Sequence, residues 1–228
     1  MVRRGGAGRR SQLANPFGGY GRRAAIVNGL AAFALCVFPA SAQQPVRLLV
    51  LGDSLVAGYG LPKNQAFPAR LEAALRKDGL NVTVVDAGVS GDTSAGGLAR
   101  LDWALGSPPP DFAIVELGAN DGLRGLSPAA MEGNLDAILT RLKARGIPTL
   151  LAGMRAPPNL GRDYAAEYEP AFERLARKHE AILYPFFLDG VAADATLNQG
   201  DGLHPNARGV EVIVERILPY VKRLIGGA

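Results

Sequence analysis

Residues 46–55 read Val-Arg-Leu-Leu-Val-Leu-Gly-Asp-Ser-Leu, an apolar run that ends in a glycine, an acid and a serine. The run is short and almost wholly apolar, which is typical of a central parallel strand covered on both faces. Gly52 then permits a tight turn. Reactive groups in open α/β sheets gather at the carboxyl ends of the strands. Ser54 is therefore either placed to act on a ligand or only caps the next helix.

Patterns typical of helices and strands alternate in the rest of the chain. We expect strands at residues 82–86, 112–117, 147–152 and 181–184, and helices at residues 67–77, 93–105, 127–146, 164–178 and 205–225. Pro170 predicts a kink or restart in the fourth of these helices, and Pro219 predicts a bend in the last. Because no hairpin signal separates the strands, the sequence predicts an α/β protein, a three-layer α/β/α sandwich around a five-stranded parallel sheet.

The first 42 residues have the features of an export signal. Six arginines without an acidic residue precede an apolar stretch at residues 24–38, and Ala40-Ser41-Ala42 matches a cleavage site. The apolar stretch, at about 15 residues, is shorter than the ~20 that cross a bilayer, so a cleaved leader is favoured over a membrane anchor. We therefore expect a signal peptide at residues 1–42, one domain at residues 43–228, and a periplasmic or secreted product.

Removal of this leader changes the charge of the chain. The full sequence has 25 basic and 21 acidic residues and a net charge of +4. Six of the basic residues and none of the acidic ones lie in the leader, so the remaining domain is mildly acidic. It has no stripe of Lys and Arg with interleaved aromatic residues, which argues against nucleic acid as a partner.

Cys36, the single cysteine, also lies in the leader. The mature domain would then have no disulfide, no thiolate nucleophile and no cysteine ligand for zinc. Since only one histidine is a plausible ligand, we expect neither a metal nor another cofactor. The expected assembly is a monomer or a small homo-oligomer, without a stable membrane anchor after processing.

The two histidines of the chain differ in their surroundings. His179 follows Arg177-Lys178 at a helix end, an ordinary structural position for an imidazole. His204 lies in the turn-rich sequence Asp201-Gly202-Leu203-His204-Pro205. An acid three residues before a histidine can fold back and orient the ring, which leaves the other ring nitrogen free to take a proton. Asp201 and His204 are thus either a base with its orienting acid or a structural turn.

A serine activated by such a base needs donors for the oxyanion that forms on attack. Gly91 lies just before a predicted helix, where its N–H can face an anion. Asn120 follows the third strand in Leu117-Gly118-Ala119-Asn120-Asp121-Gly122, and its side-chain amide is a second candidate donor. Each loop by itself is equally typical of an ordinary turn.

In order and composition, four segments of the chain resemble the SGNH, or GDSL, hydrolase family. They are Gly52-Asp53-Ser54-Leu55, Gly91 within Ser-Gly-Asp-Thr-Ser, Gly118-Ala119-Asn120-Asp121 and Asp201-Gly202-Leu203-His204-Pro205. The resemblance implies a flavodoxin-like fold with strand order 2-1-3-4-5. It also implies that Ser54 is the nucleophile, that His204 is the base and that Asp201 orients it. The backbone N–H groups of Ser54 and Gly91 and the side chain of Asn120 would form the oxyanion hole.

Two features qualify the resemblance. Ala119 stands where many relatives have a second glycine, which could shift the Asn120 loop and the acyl preference. The G-x-S-x-G motif of ordinary α/β-hydrolases is absent, because Val56 occupies the position of its second glycine.

We expect a serine esterase that hydrolyses aryl or short- to medium-chain acyl esters through an acyl-enzyme, with acyl thioesters and lysophospholipids as further substrates. Its partner is then a small-molecule ester or lipid. Loops after strands three to five would line an apolar groove, unless their side chains merely close the core. The candidate substrate contacts are Leu123, Arg124, Met154, Pro157 and Phe186.

Two alternative functions remain open from the sequence. A carbohydrate O-deacetylase of the same family would share all of these residues. A non-catalytic, flavodoxin-like module that binds a flavin or nucleotide would share the fold. The second alternative is weakened because neither a Walker motif nor G-x-G-x-x-G is present.

Overall fold

The computed structural model describes residues 44–226. The expected signal peptide, its cleavage site and Cys36 lie outside these residues. Five strands and seven α-helices alternate along the described chain. Their bounds are β1 Val46–Gly52, α1 Ser54–Ala57, α2 Phe67–Lys77, β2 Val82–Gly88, α3 Ser94–Leu105, β3 Phe112–Glu116, α4 Ala119–Leu123, α5 Pro128–Ala144, β4 Thr149–Ala152, α6 Gly161–His179, β5 Ile182–Tyr184 and α7 Ala207–Gly226.

All five strands are parallel and lie in the order β2-β1-β3-β4-β5, which confirms the predicted sheet. In the register of the sheet, Gly52 at the end of β1 lies opposite Gly88 of β2 and Glu116 of β3. The carboxyl ends of these three strands are therefore level. Because the chain order reverses at β1, a crevice opens at its end, and the loops that follow β1, β2 and β3 meet there.

Helices cover both faces of the sheet, as the three-layer prediction requires. The helices α2 and α7 pack together on one face, and α3, α5 and α6 form a row on the other. The apolar run of β1 is wholly buried from Leu48 to Leu51, which explains its unbroken hydrophobic sequence. None of the helices within residues 44–226 has both the length and the apolar character needed to cross a membrane.

The expected restart at Pro170 is wrong, because α6 runs through this residue without interruption. Pro170 and Ala166 lie on the exposed face of α6, so water can satisfy the carbonyl that loses its intrahelical donor. The last helix begins at Ala207, two residues later than expected, and continues through Pro219. Asn206 sets this start, since its Oδ1 accepts from the N–H groups of Arg208 and Gly209.

Two short helices, α1 and α4, have no counterpart among the predicted elements. Ser54 is the first residue of α1 and Asn120 the second of α4, although turns or loops were expected at both. Helices of four and five residues are too short for an apolar periodicity to show. Both place a polar side chain at the crevice.

Candidate active site

Ser54 lies at the start of α1, directly beyond the end of β1. The residue that caps this helix is Asp53, whose Oδ1 accepts from the N–H of Leu55 at 3.0 Å. The Ser54 hydroxyl is thus not needed as a cap. It is only partly buried, and its Oγ lies 2.9 Å from Nε2 of His204.

His204 is joined to Asp201 as well as to Ser54. Nδ1 of the imidazole lies 2.6 Å from Oδ2 of Asp201. A carboxylate only accepts hydrogen bonds, so the ring proton is on Nδ1, and Nε2 is free to accept from the Ser54 hydroxyl. The other carboxylate oxygen, Oδ1, accepts from the backbone N–H groups of His204 at 3.0 Å and Leu203 at 2.9 Å. These backbone bonds and the imidazole lower the pKa of Asp201 to about 2.

The connection between β5 and α7 carries both of these residues, and Gln199 fixes it to the nucleophile region. Nε2 of Gln199 donates to the carbonyl oxygens of Tyr59 at 2.7 Å and Pro205 at 3.0 Å. Its backbone N–H donates to the carbonyl of His204 at 2.7 Å. The Tyr59 ring lies against the imidazole, with ring centroids 4.6 Å apart.

Of the two candidate oxyanion donors outside α1, Gly91 lies in the loop after β2 and Asn120 in the first turn of α4. Gly91 has a φ of +84°, and none of the hydrogen bonds between described residues uses its N–H. Nδ2 of Asn120 donates one hydrogen to Oδ2 of Asp53 at 3.0 Å, which leaves its second hydrogen for a ligand. The five catalytic and oxyanion residues predicted from the sequence are thus gathered at one edge of the sheet.

Arg100 and Arg124 connect the Gly91 loop to its surroundings, and neither contact was predicted. Arg100 donates to the carbonyl of Gly52 at 2.9 Å and to Asp92 at 2.5 Å. Arg124, expected as a substrate contact, donates to the carbonyl of Gly91 at 2.7 Å. Its guanidinium is therefore partly engaged with the protein.

The first turn of α4, which carries Asn120, is held by two buried side chains whose contacts the sequence did not reveal. Asp121 accepts from both the N–H and the hydroxyl of Ser94, at 2.7 and 2.6 Å, which ties this turn to the first turn of α3. Tyr168 donates from its hydroxyl to the carbonyl of Gly118 at 2.7 Å, and its burial raises the pKa of that hydroxyl. Both contacts join segments far apart in the chain, so no local sequence pattern predicts them.

Two further carboxyl groups, of Asp53 and Glu116, are completely buried below Asn120. The backbone N–H of Asp53 lies 3.4 Å from Oε2 of Glu116. Burial raises the pKa of Asp53 to about 6 and that of Glu116 well above its ordinary value. Asp53 occurs within the Gly-Asp-Ser motif, but nothing in the sequence around Glu116 distinguishes it from a strand residue.

The other predicted substrate contacts lie in different environments. Leu123 is 54% exposed at the end of α4, whereas Met154 is only 6% exposed and belongs to the core. Met154 is therefore not open to a ligand in this structure. Pro157 and Phe186 are partly buried, and the guanidinium of Arg155 lies 4.6 Å from the centre of the Phe186 ring.

His179 lies outside the crevice at the end of α6. Its Nε2 is 2.6 Å from Oδ1 of Asp136 on α5, and Lys178 and His179 together lower the pKa of that carboxyl. This is the structural position considered for it from the sequence. Among the described residues, no group of three His, Cys, Asp or Glu side chains is arranged to hold a metal ion.

The parallel sheet, with the Ser-His-Asp chain at its carboxyl edge, defines a hydrolase of the SGNH type. The chain belongs to the GDSL-like lipase/acylhydrolase family, whose model matches residues 50–212. The family resemblance drawn from the four segments is thereby confirmed.

Individual relatives are esterases. The chain is 39% identical over 203 residues to Esterase TesA of Pseudomonas aeruginosa, covering 89% of this chain and 100% of that protein. It is 40% identical over 176 residues to an arylesterase of Vibrio mimicus, covering 77% and 88% of the two chains. Among solved structures, AlinE4, a SGNH-hydrolase family esterase, is 50% identical with a TM-score of 0.69, covering 80% and 98%. The protein is accordingly a serine ester hydrolase acting on carboxylic esters, and the flavin- or nucleotide-binding alternative is not favoured.

Proposed function

We propose that Ser54, His204 and Asp201 hydrolyse carboxylic esters through an acyl-enzyme. The observation that carries this proposal is the continuous chain of contacts from Ser54 Oγ to His204 Nε2, at 2.9 Å, and from Nδ1 to Asp201, at 2.6 Å. A serine alcohol is a weak nucleophile until a base takes its proton, and a histidine needs a fixed tautomer to act as that base. Both requirements are met by this arrangement.

In the first half of the reaction, Ser54 Oγ attacks the ester carbonyl while His204 Nε2 takes the hydroxyl proton. The tetrahedral oxyanion accepts hydrogen bonds from the N–H groups of Ser54 and Gly91 and from Nδ2 of Asn120. His204 then gives the proton to the leaving alcohol as the carbon–oxygen bond breaks. In the second half, water gives a proton to His204, attacks the acyl-enzyme and releases the acid, and Ser54 regains its proton.

The substrate class that we propose is esters of aryl alcohols and of short- to medium-chain acids, with acyl thioesters and lysophospholipids as further substrates. Four large apolar side chains near the site are 41–54% exposed. They are Tyr59, Val89, Leu123 and Leu203. Three of them lie within three residues of a proposed site residue, and the fourth, Tyr59, contacts His204. Single exposed apolar residues are common, but several of them around one crevice favour an apolar ligand.

The experiment is a series of p-nitrophenyl esters and acyl-CoA thioesters, from acetyl to dodecanoyl, assayed with the wild type and Ser54→Ala. We expect the variant to lose hydrolysis of every ester that the wild type cleaves. Full activity of Ser54→Ala would refute the assignment of the nucleophile. A preference for acetylated sugars over all acyl chains would instead favour the carbohydrate O-deacetylase.

The two histidines provide a matched control. We expect His204→Asn to lose turnover by at least about 1,000-fold, because the base is removed. His179→Asn should retain the wild-type rate, since its imidazole is hydrogen-bonded to Asp136 at the end of α6, outside the crevice. Steady-state kcat on one p-nitrophenyl ester measures both. Equal losses in the two variants would point to a structural effect.

We also propose that residues 1–42 are an export signal and that residues 43–228 are the mature enzyme. The basic region, apolar stretch and Ala-Ser-Ala site support this division. When the full chain is expressed in a bacterium, the exported product should begin at Gln43. N-terminal sequencing and the intact mass determine where it begins. A product that keeps Met1 in the cytoplasm would contradict it.

A further inference from the structure

Asp53 and Glu116 form a pair of carboxyl groups with no exposure to solvent. Glu116 is the last residue of β3 and lies opposite Gly52 in the sheet, so its side chain reaches the start of the Ser54 helix. Asp53 accepts two hydrogen bonds at 3.0 Å, from Leu55 N–H to Oδ1 and from Asn120 Nδ2 to Oδ2. Glu116 receives only the longer contact from the Asp53 N–H, at 3.4 Å.

The difference in hydrogen bonding indicates which group is charged. Two adjacent buried carboxyl groups cannot both ionise at neutral pH, and the group with more donors keeps the negative charge. Oε1 of Glu116 is buried without a hydrogen-bond partner among the described residues, which would leave a charged Glu116 poorly stabilised. Asp53 is therefore the carboxylate and Glu116 the neutral acid. Oε1 has no donor to accept from within the described part of the chain, so we assign the proton to this oxygen, and the adjacent Asp53 carboxylate is the acceptor that the proton would meet.

The charge on Asp53 decides how Asn120 is oriented. A carboxylate accepts hydrogen bonds but donates none, so it binds the Nδ2 end of the amide and not the oxygen end. The second hydrogen of Nδ2 then stays available at the crevice. A neutral Asp53 could instead donate to the amide oxygen, and Asn120 could turn its oxygen toward the substrate.

We propose that Glu116 is a positioning residue, whose carboxyl proton is donated to Asp53 and keeps Asp53 a charged acceptor that fixes Nδ2 of Asn120. This inference rests on the proposed function, because it takes Asn120 as an oxyanion donor. Glu116 itself touches neither the substrate nor Ser54 Oγ. Its effect on the reaction passes through Asp53 and Asn120.

The other ionisable groups near this pair have partners of their own. His204 lowers the pKa of Asp53 when it is protonated, and it is bound to Asp201. From α6, Tyr168 donates to Gly118 and stays neutral, and from α3, Arg100 is paired with Asp92. From α4, the Asp121 carboxylate is bound to Ser94. Among these neighbours, Glu116 is the acid left to donate a proton to Asp53, whose backbone N–H its Oε2 already contacts at 3.4 Å.

The test compares Glu116→Gln with Glu116→Met. Gln can accept from the Asp53 N–H and donate to its carboxylate, whereas Met has a similar size and donates nothing. With p-nitrophenyl butyrate, we expect Glu116→Gln to stay within about threefold of the wild-type kcat and Glu116→Met to lose about tenfold or more, with little change in KM. Equal kcat values in the two variants would overturn the proposal.

The pH profile separates positioning from a general structural role. Without the Glu116 donor, Asp53 is protonated more readily, so the acid limb of kcat should move to higher pH in Glu116→Met. A merely structural defect would lower kcat at every pH and leave the limb in place, and that result would also overturn the proposal.

A double variant distinguishes this inference from the proposed function. Asn120→Ala alone should lose about 100-fold in kcat or more, and adding Glu116→Met should cost little further, because both act on one donor. A wild-type rate in Asn120→Ala would refute the oxyanion role of Asn120 itself. If Asn120→Ala shows the full loss and Glu116→Met lowers kcat by its own factor again in the double variant, only the role of Glu116 is refuted.

Folding of the variants is checked by far-UV circular dichroism. If Glu116→Met does not fold, Glu116→Gln still tests the proposal. As pH rises through the raised pKa of Glu116, its ionisation beside Asp53 should reduce wild-type kcat, and Gln cannot ionise, so this loss should be absent or displaced upward in the variant. An identical alkaline limb in both proteins would overturn the proposal.

Discussion

At the scale of single residues, Asp201 is bound by three N–H groups although its side chain is 37% exposed. These bonds lower its pKa to about 2. The carboxylate is therefore charged at every pH at which an esterase is assayed. Loss of activity at acidic pH is therefore not expected to come from protonation of Asp201, whereas protonation of Asp53, whose pKa is raised to about 6, is expected to contribute to it.

Replacement of Asp201 by Asn should lower kcat by about 100- to 10,000-fold, because an amide can donate to Nδ1 and so stabilise the wrong imidazole tautomer. Asp194→Asn is a matched control in the same segment. Its carboxylate bonds Thr196 and not the histidine, so we expect a nearly wild-type kcat. Similar losses in both variants would mean that the segment, and not the tautomer, is affected.

At the scale of structural elements, the N-terminus of α4 depends on Gly118. Its φ of +118° is rarely adopted by L-residues, and an added Cβ would lie 3.1 Å from Met131 Sδ and 3.2 Å from both Phe172 and the Tyr168 hydroxyl. Gly118→Ala should therefore cost about 1–3 kcal/mol of stability. It should also lower kcat, because Asn120 is only two residues away.

The control for this prediction is Gly133→Ala in the middle of α5. An added Cβ there has no neighbour within 4 Å, and alanine favours the helix, so we expect a gain of about 0.5–1 kcal/mol. Urea unfolding measures both variants, with kcat on one ester as the second readout. A Gly118→Ala protein with wild-type stability and kcat would show that the α4 turn tolerates a side chain.

The parts of the site that could be predicted from the sequence either have a local sequence pattern or use a residue type that is rare in the chain. Two histidines leave few choices of base, and Asp201 lies within the same turn as His204. Strand β1 can be recognised in the sequence from its unbroken apolar run. The strands and long helices were predicted to within a few residues for the same reason, since an apolar periodicity over several turns or a buried run is a strong pattern.

The residues that support the site could not be predicted in this way. Glu116 looks like any acid at the end of a strand until the sheet register sets it beside Asp53, 63 residues earlier. Tyr168 and Gln199 act across 50 and 140 residues, through contacts that depend on how whole elements pack. Asp53 was visible in its motif, but its two hydrogen bonds require the folded positions of Leu55 and Asn120.

At the scale of the whole molecule, the buried carboxyl pair should make stability depend on pH. Glu116 has a folded-state pKa raised by burial above its ordinary 4.5, so the folded protein retains a proton that the unfolded chain has lost. The free energy of unfolding contributed by this group is therefore highest below pH 4.5 and falls as pH rises toward the folded pKa, by at most about 1.4 kcal/mol per pH unit.

Glu116→Gln removes this dependence, because the amide does not titrate. The unfolding temperature of the variant minus that of the wild type should increase as pH rises above 4.5 toward the raised folded-state pKa of Glu116, and thermal unfolding followed by circular dichroism measures it. A difference that is constant across this range would show that Glu116 is already ionised in the folded enzyme at pH 5.

The carboxyl ends of β1, β2 and β3 lie level in the sheet, and this limits which changes in strand length the enzyme tolerates. Removing one residue from β2 or β3 would draw the loop that follows it back by about 3.3 Å and turn the side chains of that strand to the opposite face. The sheet could still be hydrogen-bonded while Gly91 or Asn120 no longer reached the serine. Insertions and deletions between homologous esterases should thus be rare within these three strands, and the outer strand β5 should accept them more readily.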